Sequence, residues 1–178
     1  RARQCLHLQS TGHAAASWVK PPMSNVFHQR RASQMNSEDP FRQTLAAYAA
    51  AVRAKDVDAF ASLYGLDIHV FDMWGTWSLR GLPAWRDLAA SWFSSLGVES
   101  VAVTFDNDSA AVAGDLAIGH AVLTYTAIAP DGKKIRSLSN RATMALRKTA
   151  DGWKIFHEHT SAPIDHESLK AILIRNDG

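Results

Sequence analysis

The chain has 178 residues, a formal net charge of +2, 47% hydrophobic and 20% charged side chains, and one cysteine. That length and balance suit a single globular domain with a real core and exclude a disordered or low-complexity chain. The charge is too small and scattered to form a basic stripe, which argues against nucleic acid; no run approaches the roughly 18 apolar residues of a membrane span; and Cys5 alone can form no internal disulfide, which points to a reducing compartment, the cytoplasm.

Residues 1–34 carry no acidic residue, hold the turn pair Pro21-Pro22 and the densest basic pair, Arg30-Arg31, and show no periodicity. They read as a leader, tag or overlong start, with Met23 or Met35 as the natural first residue; a transit peptide is the lesser reading, because the apolar face is weak. We therefore expect residues 1–36 to be disordered and residues 37–178 to form one domain. Asp39 can cap a helix with Pro40 at its first position, running to about Ala54. Phe41, Leu45, Tyr48, Ala49 and Val52 recur at helical spacing, so Tyr48 is buried and its hydroxyl needs a partner. Asp56 can cap a second helix through Tyr64, with Val57, Phe60, Leu63 and Tyr64 inward. Ile68 to Phe71 reads as a short strand ending at Asp72, followed by a bulged strand or lid over Met73–Trp77. A third helix, Pro83 to Leu96, presents Trp85, Leu88, Ala89, Trp92 and Phe93 as core.

From Val98 the pattern changes to strands: Val98–Phe105, Ala110–Val112, Leu116–Ile128, Lys134–Leu146 and Trp153–Thr160. The turns between them are Asp106-Asn107-Asp108, Gly114-Asp115, Pro130-Asp131-Gly132 and Ala150-Asp151-Gly152. A short helix over Glu167–Ile174 is expected to close one end. Helices first and an antiparallel meander afterwards argue an α+β domain.

Regular alternation in the last strand puts Trp153, Ile155, His157, His159 and Ser161 on one side and Lys154, Phe156, Glu158 and Thr160 on the other. If Lys148 faces Trp153, then Met144 faces His157, Ala142 faces His159 and Asn140 faces Ser161. Glu158 then points away and pairs with Arg141 or Arg147. A one-residue slip would exchange the two sets.

Several of these groups carry chemistry. Asp72, desolvated beside Trp74 and Trp77, is a candidate general base, against a solvated strand-end aspartate. His157 and His159 allow three readings: metal ligands with Asp72, His69 or His120; neutral imidazoles that bond a polar ligand or trade protons; or structural groups tied to neighbouring strands or to a subunit interface. His120 and Asn140 join the pocket by parity. Gly-rich phosphate loops, a nucleophile elbow and Cys-x-x-Cys sites are absent, which sets aside nucleotide-dependent, serine-hydrolase and zinc-ribbon classes.

The element order, together with Arg141-Ala142-Thr143, Arg147-Lys148, Asp151-Gly152-Trp153 and His157-Glu158-His159-Thr160-Ser161-Ala162-Pro163, resembles the SnoaL-like, ketosteroid-isomerase-related branch of the nuclear-transport-factor-two-like superfamily. Asp56-Val57-Asp58 and Arg80-Gly81 support the match, which spans roughly residues 38–168. The resemblance implies a cone-shaped fold, three N-terminal helices packed in a strongly curved antiparallel sheet. It also implies that Tyr48 donates to a developing oxyanion and Asp72 moves the proton. The isomerases' second, protonated aspartate would fall at Ala142 or Met144, neither of which donates, and their apolar last-strand positions correspond to His157 and His159. The implied activity is cofactor-independent isomerisation, cyclisation or dehydration next to a carbonyl, with Asp72, Tyr48 and His157 catalytic and His159, Trp74, Trp77, His120 and Asn140 ligand-binding. No cofactor and no metal are expected. The implied partners are a small molecule bearing a carbonyl or carboxylate and a second copy of the chain. The alternative is a non-catalytic ligand-binding or oligomerisation module like the kinase association domain, since fold does not settle function.

Overall fold

Asp39 starts the fold. Its side chain accepts from the N–H groups of Phe41 and Arg42, and Pro40 occupies the first position of helix α1 (Pro40–Ala54). The structure, a computed structural model, describes residues 39–175, so the expected leader over residues 1–36 lies outside the described residues. Helix α1 buries Phe41, Leu45, Tyr48 and Val52 as their spacing requires and ends at Lys55, whose φ of 53° is left-handed. Asp56 caps a short α2 (Val57–Ser62) by accepting from Ala59 N–H. This helix stops before the expected Tyr64, because the Leu63 carbonyl accepts from Ile155 N–H and Tyr64 already pairs with Ile155.

Strand β1 (Tyr64–Phe71) is therefore longer than its sequence pattern suggested. Asp72 to Ser78 form an irregular loop rather than a strand, leading to the two-residue β2 (Leu79–Arg80) and helix α3 (Leu82–Ser95). Four strands follow: β3 (Ser100–Ala113), β4 (Leu116–Ile128), β5 (Lys134–Thr149) and β6 (Gly152–Ser161). Asp106-Asn107-Asp108 is a bulge inside β3 rather than a turn, with Asn107 at φ 52° and the register shifting before Ser109. The six strands form one sheet in the order β2-β1-β6-β5-β4-β3, antiparallel except where β1 runs parallel to β6.

The three helices cover one face of this sheet, and the expected α+β architecture is present. Phe60 sits at the centre of the core, its ring centroid 5.1 to 6.5 Å from those of Tyr48, Tyr64, Trp85, Trp92 and Phe93. Gly119 is required by close packing, since a Cβ there would stand 2.4 Å from the Phe41 ring. The C-terminal helix is absent. Asp165 instead accepts from Ser168 N–H and Oγ in a tight turn, Ile164 bridges Ala171, and Ser139 N–H donates to the Leu173 carbonyl at 2.7 Å. Those backbone groups are committed to sheet-like partners. No described helix is long and apolar enough to cross a membrane.

The β5–β6 hairpin starts in the expected register, with Lys148 opposite Trp153 and Leu146 opposite Ile155. It then shifts by one: Ala145 faces His157, Met144 faces Glu158 and Ala142 faces Thr160. Phe156 is the extra residue of a β-bulge, and β1 shifts against β6 over the same stretch, between Tyr64 and His69. The inside and outside sets of β6 are consequently exchanged beyond Ile155. Glu158 and Thr160 point into the fold, and His157 and His159 point out.

Candidate active site

Between the helices and the inner face of the sheet lies a cavity of about 750 Å³, in the size range of small-molecule sites. Helix α1 contributes Tyr48; the β1 end and the following loop contribute Asp72 and Trp74; helix α3 contributes Trp85, Leu88 and Trp92; and the sheet contributes Tyr125, Asn140, Glu158 and Thr160. The walls are largely aromatic and aliphatic; Asp72, Glu158 and Thr160 bring polar groups to the β6 side, and Arg136 and Ser137 of β5 line the cavity as well.

Glu158 is the dominant polar feature. It is 1% exposed, packed opposite Met144 and Val70, and its Oε2 accepts from the Tyr64 hydroxyl at 2.8 Å. Burial penalises its charge, the hydrogen bond from Tyr64 opposes that penalty, and the neighbouring Asp72 carboxylate adds to it; the net effect lifts the carboxyl from 4.5 to about 7. Burial and the charge on Glu158 in turn hold the Tyr64 phenol protonated. Tyr48 finds the partner its burial demands in Tyr125, hydroxyl to hydroxyl at 2.9 Å. Both phenols are raised above their ordinary value, chiefly by desolvation, so both remain proton donors at neutral pH.

Asp72 is half-buried and held in place. Thr160 Oγ1 accepts from Met73 N–H at 2.8 Å and donates to Asp72 Oδ1 at 2.8 Å, so the hydroxyl proton is directed at the carboxylate. Asn140 Oδ1 and Trp85 Nε1 are buried without a hydrogen-bond partner; the indole N–H lies toward the Tyr64 oxygen, whose proton affinity it lowers, without reaching hydrogen-bond geometry.

The sequence-derived candidates thus divide. Tyr48, Asp72, Trp74 and Asn140 line the cavity together. Trp77 does not, being 97% exposed on the loop, and neither does His120, which faces outward opposite Thr143. His157 and His159 lie on the outer face because of the bulge, in a ring cluster with His69 and Phe71. His157 Nδ1 lies 2.8 Å from the His69 carbonyl; since a carbonyl only accepts, Nδ1 is the protonated nitrogen and the ring is tied to the adjacent strand. Desolvation, then Arg80 and His157, push the His69 imidazole below its ordinary value. Arg147, expected as a partner of Glu158, instead pairs with Asp67 at 3.3 Å and lies over the Phe156 ring. Among the described residues no group of three His, Cys, Asp or Glu side chains could hold a metal ion.

Glu158, Thr160, Tyr64 and Tyr125 are the polar groups that pattern reading missed. The apolar doublet Ile155-Phe156 is the signal that could have found the first two, because two successive apolar residues in an otherwise alternating strand mark a bulge.

The profile of the SnoaL-like domain matches residues 41–165. Among solved structures, the chain is similar to an NTF2-like protein of unknown function from Pseudomonas putida KT2440, with 26% identity, a TM-score of 0.66 and coverage of 76% of this chain and 93% of that one. A proposed dehydratase of the NTF2-like family from Streptomyces avermitilis superposes with TM-score 0.60 at 18% identity, over 71% of this chain and 95% of the other. A proposed calcium/calmodulin-dependent protein kinase II association domain from Xanthomonas campestris superposes with TM-score 0.59 at 18% identity, over 69% and 85%. These last two likenesses are of fold alone. No curated protein sequence matches the chain.

Proposed function

The chain belongs to the SnoaL-like domain family, and from that premise we propose that it binds a small carbonyl compound in the cavity and moves a proton next to the carbonyl without a cofactor, as an isomerase, cyclase or dehydratase. The observation that carries this reading is Glu158: a fully buried carboxyl lifted to about 7 shares one cavity with Asp72 and with two phenols that keep their protons. Two carboxyls in different surroundings can serve as base and as neutral donor in the same site.

In this reading the Asp72 carboxylate takes the proton from the carbon next to the carbonyl, and the C–H electron pair moves to make an enolate. The Tyr48–Tyr125 hydroxyl pair and the protonated form of Glu158 donate to the enolate oxygen, and Asp72 returns the proton at a second carbon. Thr160 aims Asp72. His157 has no part in these steps, because it faces away from the cavity.

Native mass spectrometry of the purified protein for a retained ligand, followed by a thermal-shift screen of carbonyl compounds, identifies a substrate. Turnover of that substrate should fall roughly 100-fold or more in Asp72→Asn; unchanged turnover would place the base elsewhere and sink the reading. We also propose a homodimer through the outer sheet face, where Phe71 and Ile118 are exposed beside His120 and His159. Sedimentation at varied concentration tests it, and a monomer at every concentration refutes it.

A further inference from the structure

The charge a ligand can carry is set by what faces it. Asp72 and Glu158 bring two carboxyls to the cavity, and Arg136 is the one basic side chain among the described residues that line it. That guanidinium is already taken: Arg136 Nη1 and Nη2 donate to Glu99 Oε1 and Oε2 at 3.2 and 2.7 Å in a two-pronged pair. The second cation at this edge, Lys55, also faces Glu99 and donates to the Gly97 carbonyl at 2.6 Å. A carboxylate entering among aromatic walls would lose water, meet the Asp72 carboxylate and find no uncommitted cation. A ketone or ester would meet the phenols and the protonated Glu158 at no such cost.

We propose that the cavity takes a neutral carbonyl compound and rejects its carboxylate counterpart, and that Glu99 sets this choice by holding Arg136. The proposal narrows the proton-transfer reading and rests on it only for the word carbonyl; the charge selection follows from the lining itself. Glu99 lies outside the set of residues that line the cavity, so it acts on the ligand only through the arginine it occupies.

The test is calorimetric titration at pH 7 with a pair of probes matched but for charge, para-carboxybenzophenone and its methyl ester. The wild-type chain should bind the ester at least about ten-fold more tightly than the acid. In Glu99→Gln, which frees Arg136 and leaves Lys55 unneutralised, the acid should gain about three- to five-fold while the ester is unmoved, as expected for a solvent-screened charge. Adding Arg136→Gln to that variant should remove the gain. Acid binding equal to or tighter than ester in the wild type overturns the proposal, as does an unchanged gap in Glu99→Gln or binding of neither probe. Because these titrations read binding without turnover, their failure leaves the role of Asp72 standing, and failure of the Asp72→Asn test leaves the charge selection standing.

Discussion

Glu158 makes stability itself a readout of the cavity. Folding lifts its carboxyl from 4.5 to about 7, so between those values the folded chain holds a proton that the unfolded chain gives up. Its contribution is therefore full below 4.5, is lost as pH rises, and levels off above about 7. At roughly 1.4 kcal/mol per pH unit, that interval amounts to roughly 3 kcal/mol. Glu158→Gln removes the titration while its side-chain carbonyl can still accept from Tyr64. Urea unfolding of both chains, followed by tryptophan fluorescence from pH 4.5 to 8, cancels in the difference every titrating group that is not coupled to Glu158. The stability of Glu158→Gln relative to wild type should rise by roughly 3 kcal/mol across that range, and the midpoint of the rise should move to lower pH in an Asp72→Asn background, since that carboxylate is one of the causes of the lift. A difference that stays flat with pH would mean that Glu158 titrates as a solvated carboxyl, and one that falls would mean that folding lowers its proton affinity; either would refute both the burial argument and its role as a neutral donor.

Thr160→Val removes the donor to Asp72 and the acceptor for Met73 N–H together; we expect a loss of about 1 to 2 kcal/mol in chemical unfolding, with turnover restored by Thr160→Ser. Gly119→Ala places a Cβ against the Phe41 ring, which at 1% exposure has no room to yield, so unfolding experiments should show a loss of about 1 to 3 kcal/mol, partly recovered by pairing it with Phe41→Leu.

The helical half of the fold was legible because its signals are local. Asp39, Pro40 and the stripe ending at Val52 set the bounds of α1 by capping and periodicity alone; the same spacing placed Tyr48 on the buried side of that helix, and Asp72 was placed because it sits just past the end of β1 rather than deep in a ladder. The turn at Asp151-Gly152 likewise fixed where the last hairpin starts. What failed on β6 was counting along a strand after an irregularity; the helix expected over Glu167–Ile174 failed separately, because its backbone groups are taken by sheet-like partners. Alternation placed Glu158 outside and His157 inside, and a single extra residue at Phe156 reversed both. That bulge is shared between two neighbours of β6, one antiparallel and one parallel, so its cause lies in pairings distant in sequence. Tyr125 was missed for a related reason: on the inner face of an alternating strand, nothing local separates a cavity phenol from a packed one.

The bulge also bears on how relatives should be compared. Column by column, without a gap, the last-strand positions that face the cavity in an unbulged relative fall on His157 and His159 of this chain. Opening a gap of one residue at Phe156 moves the same columns onto Glu158 and Thr160. An alignment scored on residue likeness has little reason to open that gap, because the histidines, glutamate, serine and proline that follow read as one contiguous block. Transfer of a role from an unbulged relative to this strand therefore has to be made by superposing backbones, since counting by column would place an imidazole where the folded chain presents an acid.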